Sequence, residues 1–306
     1  MWFWFALIAL LCWSGSDLFS KIGCQDGSDK YSHLKMVMAV GLVMGLHAAY
    51  EIFIGKVGIT WEILLMYLPV SMLYILSMAI GYLGLRYIEL SISSPICNSS
   101  GALVAVLTLI TVGIGDDLPP LALVAVALVC IGVIALGITE SNEDEELRRA
   151  RQDESNRHYA KSWLAIALPV IYCLLDALGT FADSRVLEKL GEELADACNV
   201  AYELTFLVMG IACAVYVLGI KKQRLIPRQE GPKYIGAVCE TIGQFFYIYA
   251  LADTEHVAFA APIISSYCVA SVIWGRIFLK EKLSKKHYAC IALVVAGIVI
   301  LGILDI

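Results

Sequence analysis

Charge is what this chain of 306 residues has least of: only 16% of its side chains are Asp, Glu, Lys or Arg, against roughly 25% in soluble domains. Water is therefore not its main solvent. The charges collect in short polar gaps between apolar stretches of about 20 residues, the length that spans a hydrocarbon core of roughly 30 Å. The opening run from Met1 to Gly23 lacks both a basic start and a small-residue cleavage site, so it reads as a first span and not as a removable signal peptide. Metal and covalent chemistry are also missing their usual patterns. The ten cysteines form no CxxC pair and no metal-ligand spacing, which leaves them as small buried hydrophobes. HExxH, GxSxG and clustered His/Cys/Asp sets are absent, so no enzyme activity, no metal and no cofactor are expected. The net charge of −6 is divided between loops, linker and helices, and nucleic acid is not expected as a partner.

What the chain does have is long apolar runs. Breaking it at the polar gaps gives spans near 2–23, 32–54, 62–85, 91–113 and 119–138, then 162–182, 197–219, 234–252, 257–278 and 286–304. In lipid, backbone polar groups are satisfied only in helices or closed barrels, and uninterrupted runs of this length exclude alternating barrel strands. The expected fold is all-α, a polytopic membrane protein with ten transmembrane helices. Residues 139–161 carry SNEDEELRRARQDESNR, almost without apolar content, and read as a solvated linker. Its acidic-then-basic order suits a short helix with side-chain pairs four apart, and disorder accounts for it equally.

Basic residues set the orientation, because loops rich in Lys and Arg stay cytoplasmic. With ten crossings, one face holds only Lys56, Arg185 and Lys189, and the other holds the remaining 19 of 22. Both termini are then external, residues 139–161 are a cytoplasmic linker, and the chain sits in the plasma or inner membrane.

The two halves repeat. Ser94-Pro95-Ile96-Cys97-Asn98-Ser99 matches Ala261-Pro262-Ile263-Ile264-Ser265-Ser266, Gly132 to Gly137 matches Gly297 to Gly302, and Leu42-Val43-Met44-Gly45 matches Leu207-Val208-Met209-Gly210. Three similar offsets in one order predict a first repeat over 1–138 and a second over 162–306. A unit of five crossings enters on one side and leaves on the other, so its copy lies upside down. Two inverted five-helix repeats can rock about a site near the midplane and expose it to each face in turn.

At these residues the sequence resembles the drug/metabolite transporter superfamily, and within it the ten-helix EamA-type transporters. The most specific likeness is Lys280-Glu281-Lys282-Leu283 followed by Ala296 to Gly302, similar to that family's acid-basic-Leu turn and glycine-bearing last helix. Cys12-Trp13-Ser14-Gly15 with Lys21 is similar to its first-helix pattern, whereas Asp116-Asp117-Leu118-Pro119 departs from the turn. The resemblance implies transport of a solute across the bilayer and names no particular solute.

Ionisable side chains inside spans are costly and usually face a cavity. Four acids qualify: Asp17, Asp176, Glu203 and Glu240. Asp17 and Asp176 fall at equivalent places when Trp13 is set against Tyr172. Glu240, Gln244 and Tyr247 are four and three apart, on one helical stripe. A carboxylate beside an amide and an aromatic ring could bind an ammonium group by charge and cation–π attraction, or carry a proton that exchanges with the solute. Trp13, Tyr172, Tyr202, Tyr267 and Asn98 are further candidates for the wall of a substrate site, with Glu240, Asp17 and Asp176 as ion-coupling groups. Plainer roles compete. Asp17 lies four residues before Lys21 and could simply be neutralised by it, Glu203 and Asp176 could make polar contacts between helices, and His47, alone on its span, fits polar packing better than a metal site. The function expected is secondary active transport of a small organic metabolite, an amine, amino acid or similar, by alternating access with proton or sodium coupling. The alternatives are a gradient-driven uniporter or exchanger, and a non-transporting membrane receptor of the same fold. Oligomeric state is left open.

Overall fold

The computed structural model describes residues 2–25, 29–100, 103, 104, 107, 120–152, 162–190, 194–251, 264 and 266–304. Among them every regular element is a helix: α1 (Trp2–Cys24), α2 (Ser32–Tyr50), α3 (Trp61–Gly84), α4 (Leu90–Cys97), α5 (Pro120–Asn142), α6 (Glu145–Gln152), α7 (Leu164–Leu190), α8 (Ala195–Ala214), α9 (Pro227–Leu251), α10 (Tyr267–Phe278) and α11 (Lys285–Leu304). Wider π-type turns extend α2 over Glu51–Gly55 and α8 over Val215–Ile220. Six of these helices are long and apolar enough to cross a membrane: α1, α2, α3, α5, α7 and α8. Their outward faces carry large apolar side chains such as Phe53, Leu65, Ile134 and Val208, as lipid-facing helices require. Much of the expected fourth and ninth spans lies outside the described residues, including Ala261, Pro262, Ile263 and Ser265.

Boundaries differ from the sequence reading where helices leave the apolar layer. α7 continues past residue 182 to Leu190, and α9 begins at Pro227, two turns before 234. Hydropathy marks where lipid ends, but a helix satisfies its own backbone and can continue through a polar turn. Proline is well placed at the start of α9, where its missing N–H costs nothing. The fourth span is not one continuous helix, because α4 gives way to a turn at Asn98 and Ser99. Asn98 Nδ2 adds a second donor to the Ser94 carbonyl at 3.0 Å, and Ser99 Oγ donates to the Pro95 carbonyl at 2.8 Å, near the point where the helix gives way to a turn.

Helices pair across the two halves: α1 on α9, α3 on α7, α2 on α8, α5 on α11 and α4 on α10. Small residues set the closest approaches. A Cβ on Gly132 of α5 would lie 3.0 Å from the Val294 nitrogen and 3.1 Å from the Cys290 oxygen of α11. One on Gly297 of α11 would lie 3.0 Å from the Val129 nitrogen and 2.6 Å from the Ala125 oxygen of α5.

The described part of the linker forms the short helix α6 and is mostly exposed, but four of its polar side chains turn inward. Arg148, Gln152, Glu140 and Glu143 are all buried. Arg148 ion-pairs with Glu140, His287 Nε2 meets the other Glu140 oxygen at 3.1 Å, and Gln152 donates to Glu89 at 2.7 Å. The stretch folds onto the bundle because its charges find partners on α4's leading turn, α5 and α11. Arg149 and Glu145, four apart on the exposed face of α6, form the expected side-chain pair at 3.6 Å.

Candidate functional site

A cavity of about 520 Å³ lies between α1, α3, α4, α7, α9 and α10, with α8 adding Asn199 and Tyr202. α1 contributes Trp13 and Asp17, one turn apart on the same face, because residues four apart stack along a helix. α9 contributes Glu240, Gln244 and Tyr247, the whole of the stripe read from sequence. Asn98, Tyr172, Asp176 and Tyr267 also line the space.

The polar lining is held by hydroxyls. Asp17 Oδ2 accepts from Ser94 Oγ at 2.6 Å and from Ser271 Oγ at 2.7 Å, so α1, α4 and α10 meet at one carboxylate. Ser16 serves Glu240 and Ser100 serves Asp176. Lys21, one turn along from Asp17, turns its ammonium onto the carbonyls of Leu85 and Ile88 at the end of α3. Trp13 packs against Tyr247, tilted, and against Tyr267, edge-on, at centroid separations of 5.1 and 5.7 Å, and forms one aromatic wall. Tyr74 and Tyr202, edge to face at 5.9 Å, form another. Among the described lining residues the acids are Asp17, Asp176, Asp183 and Glu240, and none is Lys, Arg or His.

Residues 186–303, from the end of α7 to α11, match the EamA-like transporter family. That stretch is similar to an EamA-like transporter domain, and it supports the resemblance to the drug/metabolite transporter superfamily. With six helices long and apolar enough to cross a membrane, the match supports a multi-pass membrane protein of the transporter type. The match leaves the first half of this transporter outside it. No curated protein matches the chain.

The transporter's turn at Lys280 to Leu283, from which the resemblance was read, has a structural task. Glu281 accepts from the backbone N–H groups of Leu90 and Ser91, both at 2.9 Å, and from Ser91 Oγ at 2.6 Å. A carboxylate there satisfies the open donors at the start of α4 and suits the positive end of its dipole. α4 then presents Ser94 and Asn98 to the cavity.

One candidate lies elsewhere. Glu203, on α8, is almost fully buried against α2, where His47 Nδ1 meets its carboxylate at 2.8 Å. His47 is therefore not alone on its span, and it also faces Glu51 at 3.6 Å. The sequence reading missed Asp183, which lines the cavity on the continuation of α7 beside Tyr67 and Tyr74. Its signal was a spacing of seven from Asp176, two turns on one helix face. Ser16, Ser94 and Ser271 were also missed, because a serine in an apolar run looks like a packing residue until its acceptor is known.

Proposed function

We propose that this protein moves a small organic amine or related metabolite across the membrane by alternating access, with ten crossings arranged as two inverted halves over residues 1–138 and 162–306. The cavity carries the reading: an acid-lined, aromatic-walled space enclosed by helices of both halves. Its support is the exchange of partners when the halves are swapped. α1 packing on α9 becomes α7 packing on α3, while α2 with α8, α4 with α10 and α5 with α11 each map onto themselves. Single residues follow. The Gly132–Val294 approach becomes Gly297–Val129, and Gly81 against the Tyr172 ring becomes Gly243 against the Trp13 ring. Two pseudo-equivalent halves supply two states of similar energy, each opening the same site to one face.

In this reading Glu240, with Asp17 and Asp176, exchanges a proton or sodium ion for the solute's ammonium. A carboxylate in a space shielded from bulk water keeps its charge only with a counter-ion, so the two cargoes compete for the same oxygens. Trp13, Tyr172 and Tyr267 give the cation aromatic faces. Both termini are external in the proposed orientation, and the end bearing Lys21, Lys35 and Glu281 is cytoplasmic. That end is closed by buried charged contacts, Lys35 between Asp29 and Glu230 among them.

The test is uptake of labelled amines into proteoliposomes under imposed pH or sodium gradients. Gradient-driven accumulation by wild type that is lost in Glu240→Gln supports coupled transport. Accumulation that ignores both gradients indicates a uniporter or exchanger, and binding without flux indicates a receptor.

A further inference from the structure

Two polar stripes face the cavity. On α9 it is Glu240, Gln244 and Tyr247, and on α7 it is Asp176, Thr180 and Asp183. Asp176 and Asp183 are seven residues apart on one face, so their backbones are separated by roughly 10 Å at 1.5 Å per residue. The carboxylates thus fall into two places. Asp17 and Asp176 both lie close enough to Glu240 to act on its charge, while Asp183 lies further along α7, where its carboxylate accepts from the hydroxyls of Tyr67 and Tyr74. Its Oδ1 is fully buried and has no hydrogen-bond partner among the described residues. The indole N–H of Trp13, at the other place, is buried and unpartnered in the same way.

Resting on the transport reading above, we infer that the solute is a linear di- or polyamine, with one ammonium at the Asp17, Asp176 and Glu240 group and another at Asp183. The methylene stem between them lies along the rings of Tyr74, Tyr172 and Tyr202. A single ammonium offsets one carboxylate and leaves the remaining acids repelling one another, whereas two separated charges answer both places. An amino acid fits poorly. Its carboxylate would enter a space whose described lining offers four acids and no cationic side chain, and like charges brought together oppose binding. The separation of the two places along α7 also suits a flexible chain, because Tyr rings give apolar contact along the stem and cation–π attraction at its ends.

The experiment is equilibrium binding of labelled spermidine to the full chain in lipid nanodiscs, competed by putrescine, butylamine and alanine. Putrescine is expected to compete roughly tenfold or more better than butylamine, the factor that about 1.4 kcal/mol of extra contact supplies, and alanine is expected not to compete. Asp183→Asn should weaken spermidine roughly tenfold and leave butylamine within about twofold. Butylamine matching putrescine, or alanine displacing spermidine, overturns the inference. So does Asp183→Asn lowering all ligands alike while its thermal unfolding stays that of wild type. If that variant does not fold, the wild-type competition series decides alone. Spermidine bound but never carried into proteoliposomes would uphold this inference and overturn the transport reading. Alanine carried with spermidine unbound would do the reverse.

Discussion

Glu203 and Glu240 are both acids set in apolar helices, and their neighbours separate them. Glu203 is clamped by His47 across the α2–α8 interface, away from the cavity. Glu240 faces the cavity, with Ser16 as its hydrogen-bond partner among the described residues. Glu203→Gln should therefore lower stability by about 1–3 kcal/mol, the usual cost of spoiling a buried hydrogen bond to a charged group, and leave the KM for transport within roughly twofold. Thermal unfolding and uptake kinetics on the same preparation check both halves of that expectation. Glu240→Gln should show the opposite pattern, a native unfolding temperature with gradient-driven uptake reduced to background. Which acid does what was not legible in the sequence. Both met the rule for intramembrane carboxylates, and His47 is too distant along the chain to be assigned to either. The stripe of Glu240, Gln244 and Tyr247 was legible, because it needs only the helical period.

Elements were read well where lipid imposes their length and poorly where it does not. The starts and ends of α1, α3 and α11, and of α2 and α8 taken with their π-type extensions, follow the apolar runs to within a residue or two. The extra turns of α7 and α9 do not, and Asp183 lies in the part of α7 beyond the expected span. α6 docks through Arg148 and Gln152 onto Glu140 and Glu89, long-range partners that composition cannot report. Two substitutions test how elements are placed. Glu281→Ala removes the acceptor for the first N–H groups of α4 and should cost about 1–3 kcal/mol. It should also weaken solute binding, since α4 carries Ser94 to Asp17, and binding measured beside thermal unfolding reads the two effects separately. Gly297→Leu inserts a side chain where a single Cβ would already lie 2.6 Å from the Ala125 oxygen. Overpacking there should destabilise by about 1–3 kcal/mol or more, and Gly132→Leu, at the partner-exchanged position, should do the same. A large cost at one position and none at the other would contradict the paired geometry of α5 and α11.

At the scale of the whole molecule, the proposal of two inverted halves predicts a cavity that opens to each face in turn. Cys97 allows this to be tested with a native side chain, because it lines the cavity from α4 and is half-buried. With the other nine cysteines replaced by serine or alanine, a membrane-impermeant thiol reagent is applied to oriented vesicles from one face and then, separately, from the other. Alternating access predicts that Cys97 is labelled from both faces, and that an amine which binds the cavity changes the two rates in opposite directions. Labelling from one face only, unaffected by any amine, would contradict it.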